Sequence, residues 1–550
     1  MTKTTKKIIF LVAAAVLLLG HFALQVYLIR TDSQTTDEGV HLSAGYTYLT
    51  KHDFRFNPEH PTLVKFLAGA PLLFLNIKTP SDDLYFNRAS DYFYDSWREA
   101  RAYGEDLLYK MGNDADKILL FSRIPMALLT LILGITILVI SSRLWGMKGG
   151  LLSLALFALE PIVCAHGHLV TTDIGVSLGY LLTIYMLWLF LNKSSWRNVI
   201  LLGIVLGLAE LSKFTAVILL PAIIILLIAF ALIKKIRLGE FLKKAGKIFV
   251  AFIICWFVIW AGYGFKTEKI PQTETTQWGV LDKITSSKLF NAFRPVIIPR
   301  DYFKGLSMVI GHTEGGHASF LLGMHSNTGW WYYFPVVFSA KTTIPTLIIF
   351  ALSVIFIFLR EKNREKGSFF LAAALIFLAF AMLSKANLGV RHILPVYAVL
   401  FVVAGAVADF FWGSTLKKSA LVVILAWLFL ENVKIFPYYL SFYNEFYGGS
   451  KNGYKVATDS NYDWGQDLKR IKNYLEKSSV ENPWVEYTWD SEKALDYYHI
   501  QRRPLSDFRL GEKGFLIIGA TGLNNEPYRA LQNCPVYDRI TPSVFIYELK

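Results

Sequence analysis

Cysteine is nearly missing from this chain of 550 residues: there are three, Cys164, Cys255 and Cys534. Their number and spacing make neither an even disulfide framework nor a metal motif. Cys255 lies inside an apolar run; Cys164 with Cys534 is the one conceivable bridge, and free thiols are the expectation. No glycine-rich phosphate loop opens any helical stretch, so a nucleotide ligand has no visible site. The basic balance, net +14 with a pI near 9.3, lacks a nucleic-acid footprint once its placement is read.

What the sequence has instead is apolar length. It is 54% hydrophobic and 15% aromatic, and its apolar residues fall in blocks of roughly 20, the helical length that crosses a bilayer. Eleven such blocks stand at about 8–29, 118–141, 149–165, 172–191, 197–213, 215–233, 247–264, 335–359, 368–384, 391–411 and 419–437. The first is preceded by Lys3, Lys6 and Lys7 but is too long for a signal-peptide core and lacks a small-residue cleavage site, so it reads as a retained helix.

Six segments (the N-terminal tail, 143–148, 193–197, 234–247, 360–366 and 417–418) hold nineteen Lys or Arg against Glu240, Glu361 and Glu365, and they alternate along the chain with the other connections. Cations in short loops mark the cytoplasmic side. The expectation is an α-helical polytopic protein of the cytoplasmic membrane, N-terminus inside, with three long segments outside: about 30–117, 265–334 and 438–550. The first two belong to a membrane unit over 1–437. The third alternates short strand-like runs (455–458, 484–488, 515–518, 544–549) with helix-like ones (465–478, 491–499, 525–533) and reads as an extracytoplasmic α/β domain.

Ionisable residues inside or at the ends of spans are costly and tend to line a site. Arg123, Glu160, His166, His168, Asp173, Glu210, Lys213, Lys341, Arg391 and His392 all crowd the outer ends of the predicted spans. A transporter would place such groups near the midplane and show related halves; this one-sided census describes a polar cavity opening outward.

Just past the first span, Asp37, Glu38 and His41 put two carboxylates and an imidazole at the water-lipid boundary, a placement suited to chemistry on a lipid-borne substrate. Further on, Asn57-Pro-Glu-His-Pro61 leads into Leu63, Phe66, Leu67 and Ala70 at helical spacing, with Lys65 on another face. This suits an interfacial helix whose polar start, Glu59 and His60, sits at headgroup depth.

These motifs, Thr36-Asp-Glu38, Asn57 to Pro61, Thr172-Asp173 and Lys213, in that order on eleven spans, resemble the polytopic C-type (GT-C) glycosyltransferases that take a sugar from a polyprenyl-phosphate carrier. This is the group of protein O-mannosyltransferases and aminoarabinose transferases. The resemblance covers roughly residues 1–437 and implies a GT-C-like membrane domain and an inverting transfer to an acceptor hydroxyl of a protein, lipid or glycan. It implies Asp37 as the catalytic acid/base position, Glu38 beside it with the two roles interchangeable, and Asp173 as a second acidic position. The leaving phosphate calls for cations, for which Arg391, Arg123, Lys213, Lys65 and His60 are candidates; relatives often have Lys where His60 stands. An oligosaccharyltransferase-like enzyme and a lipid-linked sugar transporter are the alternatives.

The second external segment holds His312, Glu314, His317 and His325, followed by an aromatic belt from Trp330 to Phe334. Glu59, His312 and His317 have the donor types for a divalent metal, which some relatives bind and others do not need; hydrogen bonding to substrate or backbone is the competing role. No cofactor is required. His41, His325 and His392 are further site candidates. In the tail, Asp459 to Asp467 is similar by letters to an oligosaccharyltransferase motif, with acceptor binding as the sharper reading, although a helix beginning at Gly465 and capped by Asp463 accounts for it more cheaply.

Overall fold

The computed structural model describes residues 2–81, 85, 93–266, 299–487, 492–509 and 511–549. Parts of the predicted segments 30–117 and 265–334, and the ends Thr488 and Ser491 of a predicted strand and helix, lie outside the described residues.

The protein is an integral membrane protein. Seven described helices are long and apolar enough to cross a bilayer, eight when Tyr333–Lys341 and Ile344–Leu359, bent by 115°, count as one. All eleven apolar blocks are helical, and the difference from eleven has local causes. Blocks two and three share one helical run, α4 (Ala115–Leu159), interrupted where Gly146 leaves helical geometry at φ 82. At 1.5 Å per residue an unbroken helix of 45 residues would be about 68 Å long, twice a bilayer core. The fifth block is a 15-residue helix (Trp196–Glu210), and the eleventh, Thr415–Ile435, carries Lys417, Lys418, Glu431 and Lys434.

Ahead of α4, α1 (Lys3–Thr31) is capped by the Thr2 hydroxyl, which accepts from Thr5 N. Next come α2 (Glu38–Lys51) and α3 (Thr62–Gly69). Pro61 sits at the N-cap of α3 in extended geometry, one residue ahead of the first helical position, where a proline would also be tolerated. Two glycines let α2 and α3 touch: a Cβ on Gly45 would lie 1.9 Å from Lys65 O, and one on Gly69 2.5 Å from Gly45 C. That contact brings Glu59, His60 and Lys65 beside the start of α2.

The tail carries a four-stranded sheet in the order β3 (Trp484–Glu486), β4 (Gly514–Gly519), β6 (Val544–Leu549), β5 (Asp538–Thr541), with β3 parallel to β4 and the other pairs antiparallel. Alternate residues face opposite sides: Trp484, Leu516, Ile518, Phe545 and Tyr547 pack with Tyr443 and Ala340, while Val485, Ile517, Val544 and Ile546 pack on Leu468 and Ile471. The small hairpin β1–β2 (Ser319–Leu321, Met324–Ser326) lies in the predicted segment 265–334. The predicted strand 455–458 does not join the four-stranded sheet. Its carbonyls are taken elsewhere, Val456 O by Leu322 N at 2.8 Å and Ala457 O by the Tyr443 hydroxyl at 2.6 Å. The predicted helix 465–478 is shorter, Leu468–Leu475, and the 525–533 helix is a 3-10 turn over Tyr528–Asn533.

The tail is stitched to the segment between α1 and α2. Ser33 N donates to Gln466 O and Thr36 N to Trp464 O, each at 3.1 Å, and Arg470 pairs with Asp32 at 2.6 Å. A segment some 430 positions downstream thus borders the Asp37 region.

Candidate active site

Asp37 occupies the N-cap position of α2, yet its carboxylate makes no capping bond and is free to face a cavity of about 250 Å³. Around it stand His41, Glu59, His60, Lys213, Arg391 and His392. Arg391 Nη1 reaches Asp37 Oδ2 at 3.2 Å and Asp173 Oδ2 at 3.4 Å; Lys213 Nζ binds Asp173 Oδ1 at 2.6 Å. Asp173, 1% exposed, therefore sits behind the two cations and ties them together, whereas Asp37 is 17% exposed. Burial and the nearby Asp173 raise the Asp37 carboxyl above the usual range, with Arg391 opposing. Trp464 covers one face of the Arg391 guanidinium, 4.1 Å from the ring centre to the carbon.

Glu38, next in sequence, has a different environment. It accepts from Thr35 N (2.8 Å) and Oγ1 (3.0 Å), Val170 N (2.9 Å), and Arg123 Nε (2.8 Å) and Nη2 (2.6 Å). Arg123 spends its remaining donors on the carbonyls of Ile29, Asp32 and Ser33. Both side chains are fully enclosed and neither lines the cavity. Although burial alone would raise the Glu38 carboxyl, the Arg123 charge and the N–H donors hold it below the usual range.

Glu38 and Arg123, expected in catalysis and phosphate binding, are thus saturated by each other and by backbone. Lys65 is also enclosed: its ammonium binds the Asn57 carbonyl, His60 O at 2.8 Å and the Tyr48 hydroxyl at 3.2 Å. It pins the Asn57–His60 turn instead of reaching the cavity. His325 lies on the β1–β2 hairpin with Nε2 3.0 Å from Asn524 O, away from the site.

His41 and His60 meet edge to face, 4.8 Å between ring centres. Burial, followed for His41 by the Lys65 charge and for His60 by His41, depresses both well below the ordinary imidazole value. Burial pushes the Glu59 carboxyl up to about 7 against the pull of Lys65. His312 and His317 meet edge to face, 5.3 Å between ring centres, and line the same cavity as Glu59, but among the described residues no three His, Cys, Asp or Glu converge as a metal site. The proposed set of Glu59, His312 and His317 does not fit a metal.

Asn57, Trp97 and Thr36, which the sequence marks for no role in the site, line the cavity, as do Asp459 and Trp464, whose letters fit a helix start. The helix expected from Gly465 begins at Leu468, and Asp463 accepts from Thr521 N (3.0 Å) and its hydroxyl instead of capping. The motif around Asp459 was the available signal.

Residues 113–260, less than half of the chain, match the family model described as Dolichyl-phosphate-mannose-protein mannosyltransferase. No curated protein matches the chain. Among solved structures it is similar to ArnT from Cupriavidus metallidurans bound to undecaprenyl phosphate, with a TM-score of 0.49 and 12% identity over 99% of this chain and 98% of that one. It is also similar to the oligosaccharyltransferase of Archaeoglobus fulgidus in its apo form, with a TM-score of 0.47 and 12% identity over 94% of this chain and 72% of that one.

Proposed function

We propose that this chain is an inverting glycosyltransferase that moves a sugar from a polyprenyl-phosphate carrier to an acceptor hydroxyl at the outer face of the cytoplasmic membrane. The observation that carries the reading is the pairing, in one cavity, of a partly exposed carboxylate that caps nothing, Asp37, with two cations held by a second carboxylate, Asp173. The mannosyltransferase family match over 113–260 supports the substrate class. In this reading eleven helices cross the membrane with the N-terminus inside, residues 1–437 form the membrane unit and 438–550 an external unit, and the exposed Leu73 and Phe74 beyond α3 rest in the interface.

The chemistry follows from the geometry. Asp37 takes the proton of the acceptor hydroxyl as the oxygen attacks the anomeric carbon. The bond to the carrier phosphate breaks on the opposite face, and negative charge grows on the departing phosphate. Arg391 and Lys213, both buried and fixed in advance by Asp173, stabilise that charge without reorganising. The guanidinium Nη2 has no bond to any described residue and is available to a phosphate oxygen. His60 and His392 add hydrogen-bonding groups to the wall.

The test is transfer in vitro from a panel of polyprenyl-phosphate sugars, comparing wild type with Asp37→Asn. Transfer by wild type and its loss in the variant are expected. Normal turnover by Asp37→Asn removes the proposed base, and movement of labelled sugar across sealed vesicles without transfer replaces the enzyme with a transporter.

A further inference from the structure

We propose that the turn Asp459–Asn461 is the positioning element of Arg391, so that lipid-phosphate binding depends on Ser460, a residue that does not line the cavity. This rests on reading the cavity as a phosphate site. Arginine has four flexible side-chain torsions, and Arg391 follows a stretch, 384–389, without regular structure. Something else must aim it.

Four consecutive residues touch the turn. Leu388 O accepts from Ser460 Oγ at 2.9 Å. Gly389 packs so closely that a Cβ there would stand 2.2 Å from Ser460 Oγ. Val390 N donates to Asn461 Oδ1 at 2.9 Å, and Arg391 Nε donates to Ser460 Oγ at 3.1 Å. With Nε on Ser460, Nη1 between Asp37 and Asp173, and one face on Trp464, the guanidinium plane has one orientation, and Nη2 is left without a hydrogen bond among the described residues in a side chain that lines the cavity.

The turn is itself anchored from several sides. Asp459 N donates to Thr521 Oγ1 (3.1 Å), beside the end of β4. Asn461 Nδ2 donates to the Tyr333 hydroxyl (2.8 Å), and the buried ammonium of Lys341 binds Asn461 O (2.6 Å) and Leu440 O (2.7 Å). Asp459 adopts φ 60, a left-handed conformation uncommon for a side-chain-bearing residue, held by these contacts. The tail thereby sets the direction of a membrane-unit cation, and a displaced tail leaves Arg391 unaimed.

The experiment uses full-length protein in detergent and undecaprenyl phosphate as the probe, with donor KM and kcat measured alongside. Ser460→Ala is expected to weaken undecaprenyl phosphate binding about tenfold, in line with loss of one bond to a charged group, and to raise donor KM more than it lowers kcat. In an Arg391→Ala background Ser460→Ala should have no further effect on binding. Gly389→Ala, which forces the turn away, should reproduce the loss if Ser460→Ala folds poorly. Wild-type affinity in both single variants, or an undiminished tenfold effect without Arg391, overturns the proposal. If wild type itself binds no undecaprenyl phosphate, the phosphate reading fails for every variant alike, a pattern distinct from failure of the positioning role.

Discussion

Asp37 and Glu38 are neighbours in sequence, each pairs with an arginine, and they end in opposite circumstances. Glu38 and Arg123 are sealed and satisfied: every oxygen and every guanidinium nitrogen is occupied within the protein. Asp37 and Arg391 stand in a cavity with capacity left over. The contrast shows that an embedded ion pair does not announce a reactive site; unspent hydrogen-bonding capacity facing a cavity does. The sealed pair locks the start of α2 to α1 and α4, which holds the neighbouring carboxylate where a substrate can reach it.

The sharpest way to break the comparison is to neutralise each carboxylate in turn. Asp37→Asn should lower transfer by about 10²- to 10⁴-fold, the usual worth of a general base, with unchanged thermal midpoint. Glu38→Ala should do the reverse. Leaving Arg123 charged and unpaired inside the protein costs about 3–5 kcal/mol of stability, read as a large fall in thermal midpoint, while whatever folded fraction remains keeps its donor KM. Equal stability loss in both variants, or equal activity loss per folded molecule, would erase the distinction.

A smaller effect is expected at Asp173. Its carboxylate binds both cations but stands behind them, so Asp173→Asn should loosen their alignment and not remove the base. Donor KM should rise, and kcat should fall by about 10-fold, less than for loss of a direct charge-stabilising donor at roughly 10²-fold. A kcat loss matching that of Asp37→Asn would make Asp173 the proton acceptor instead.

The apolar blocks were legible because a bilayer imposes a length of roughly 20 residues on a helix, and the site residues near span ends were legible because charge there is costly. Lys213 and Arg391 follow from that reasoning, Asp37 from its place just past the first span and from the family resemblance, and the three share the cavity. What local sequence could not carry was partnership at a distance. Nothing near Glu38 says that Arg123, 85 positions on, will consume it, and nothing near Lys65 says that its ammonium will turn back onto the Asn57 and His60 carbonyls. The helix break at Gly146, by contrast, falls inside the basic connection 143–148 that separates blocks two and three in the sequence. Asp459 and Trp464 were misjudged for the same reason: their role depends on where the tail docks, and Asp463, taken for a cap, is spent on Thr521.

Acidity offers the finest separation of the two regions. The Asp37 carboxyl is raised, so a base at that position loses its proton only above the ordinary aspartate value of 3.8. The acid limb of kcat/KM should therefore lie higher than an exposed aspartate would give. Glu38 is lowered from 4.5; its contribution to stability is complete above that value and disappears as pH falls through its folded value. The neutral pair His41 and His60 acts in a third window. Both are depressed well below 6.5, so the unfolded chain binds protons first, and stability should begin to decline as pH drops below about 6.5. Thermal unfolding followed from pH 8 to 5 in wild type and in His41→Gln should show a shallower decline in the variant, by less than one proton's worth of slope, with the Asp37 limb of the transfer profile still present. A decline of the same steepness in both would assign the acid sensitivity to groups other than His41.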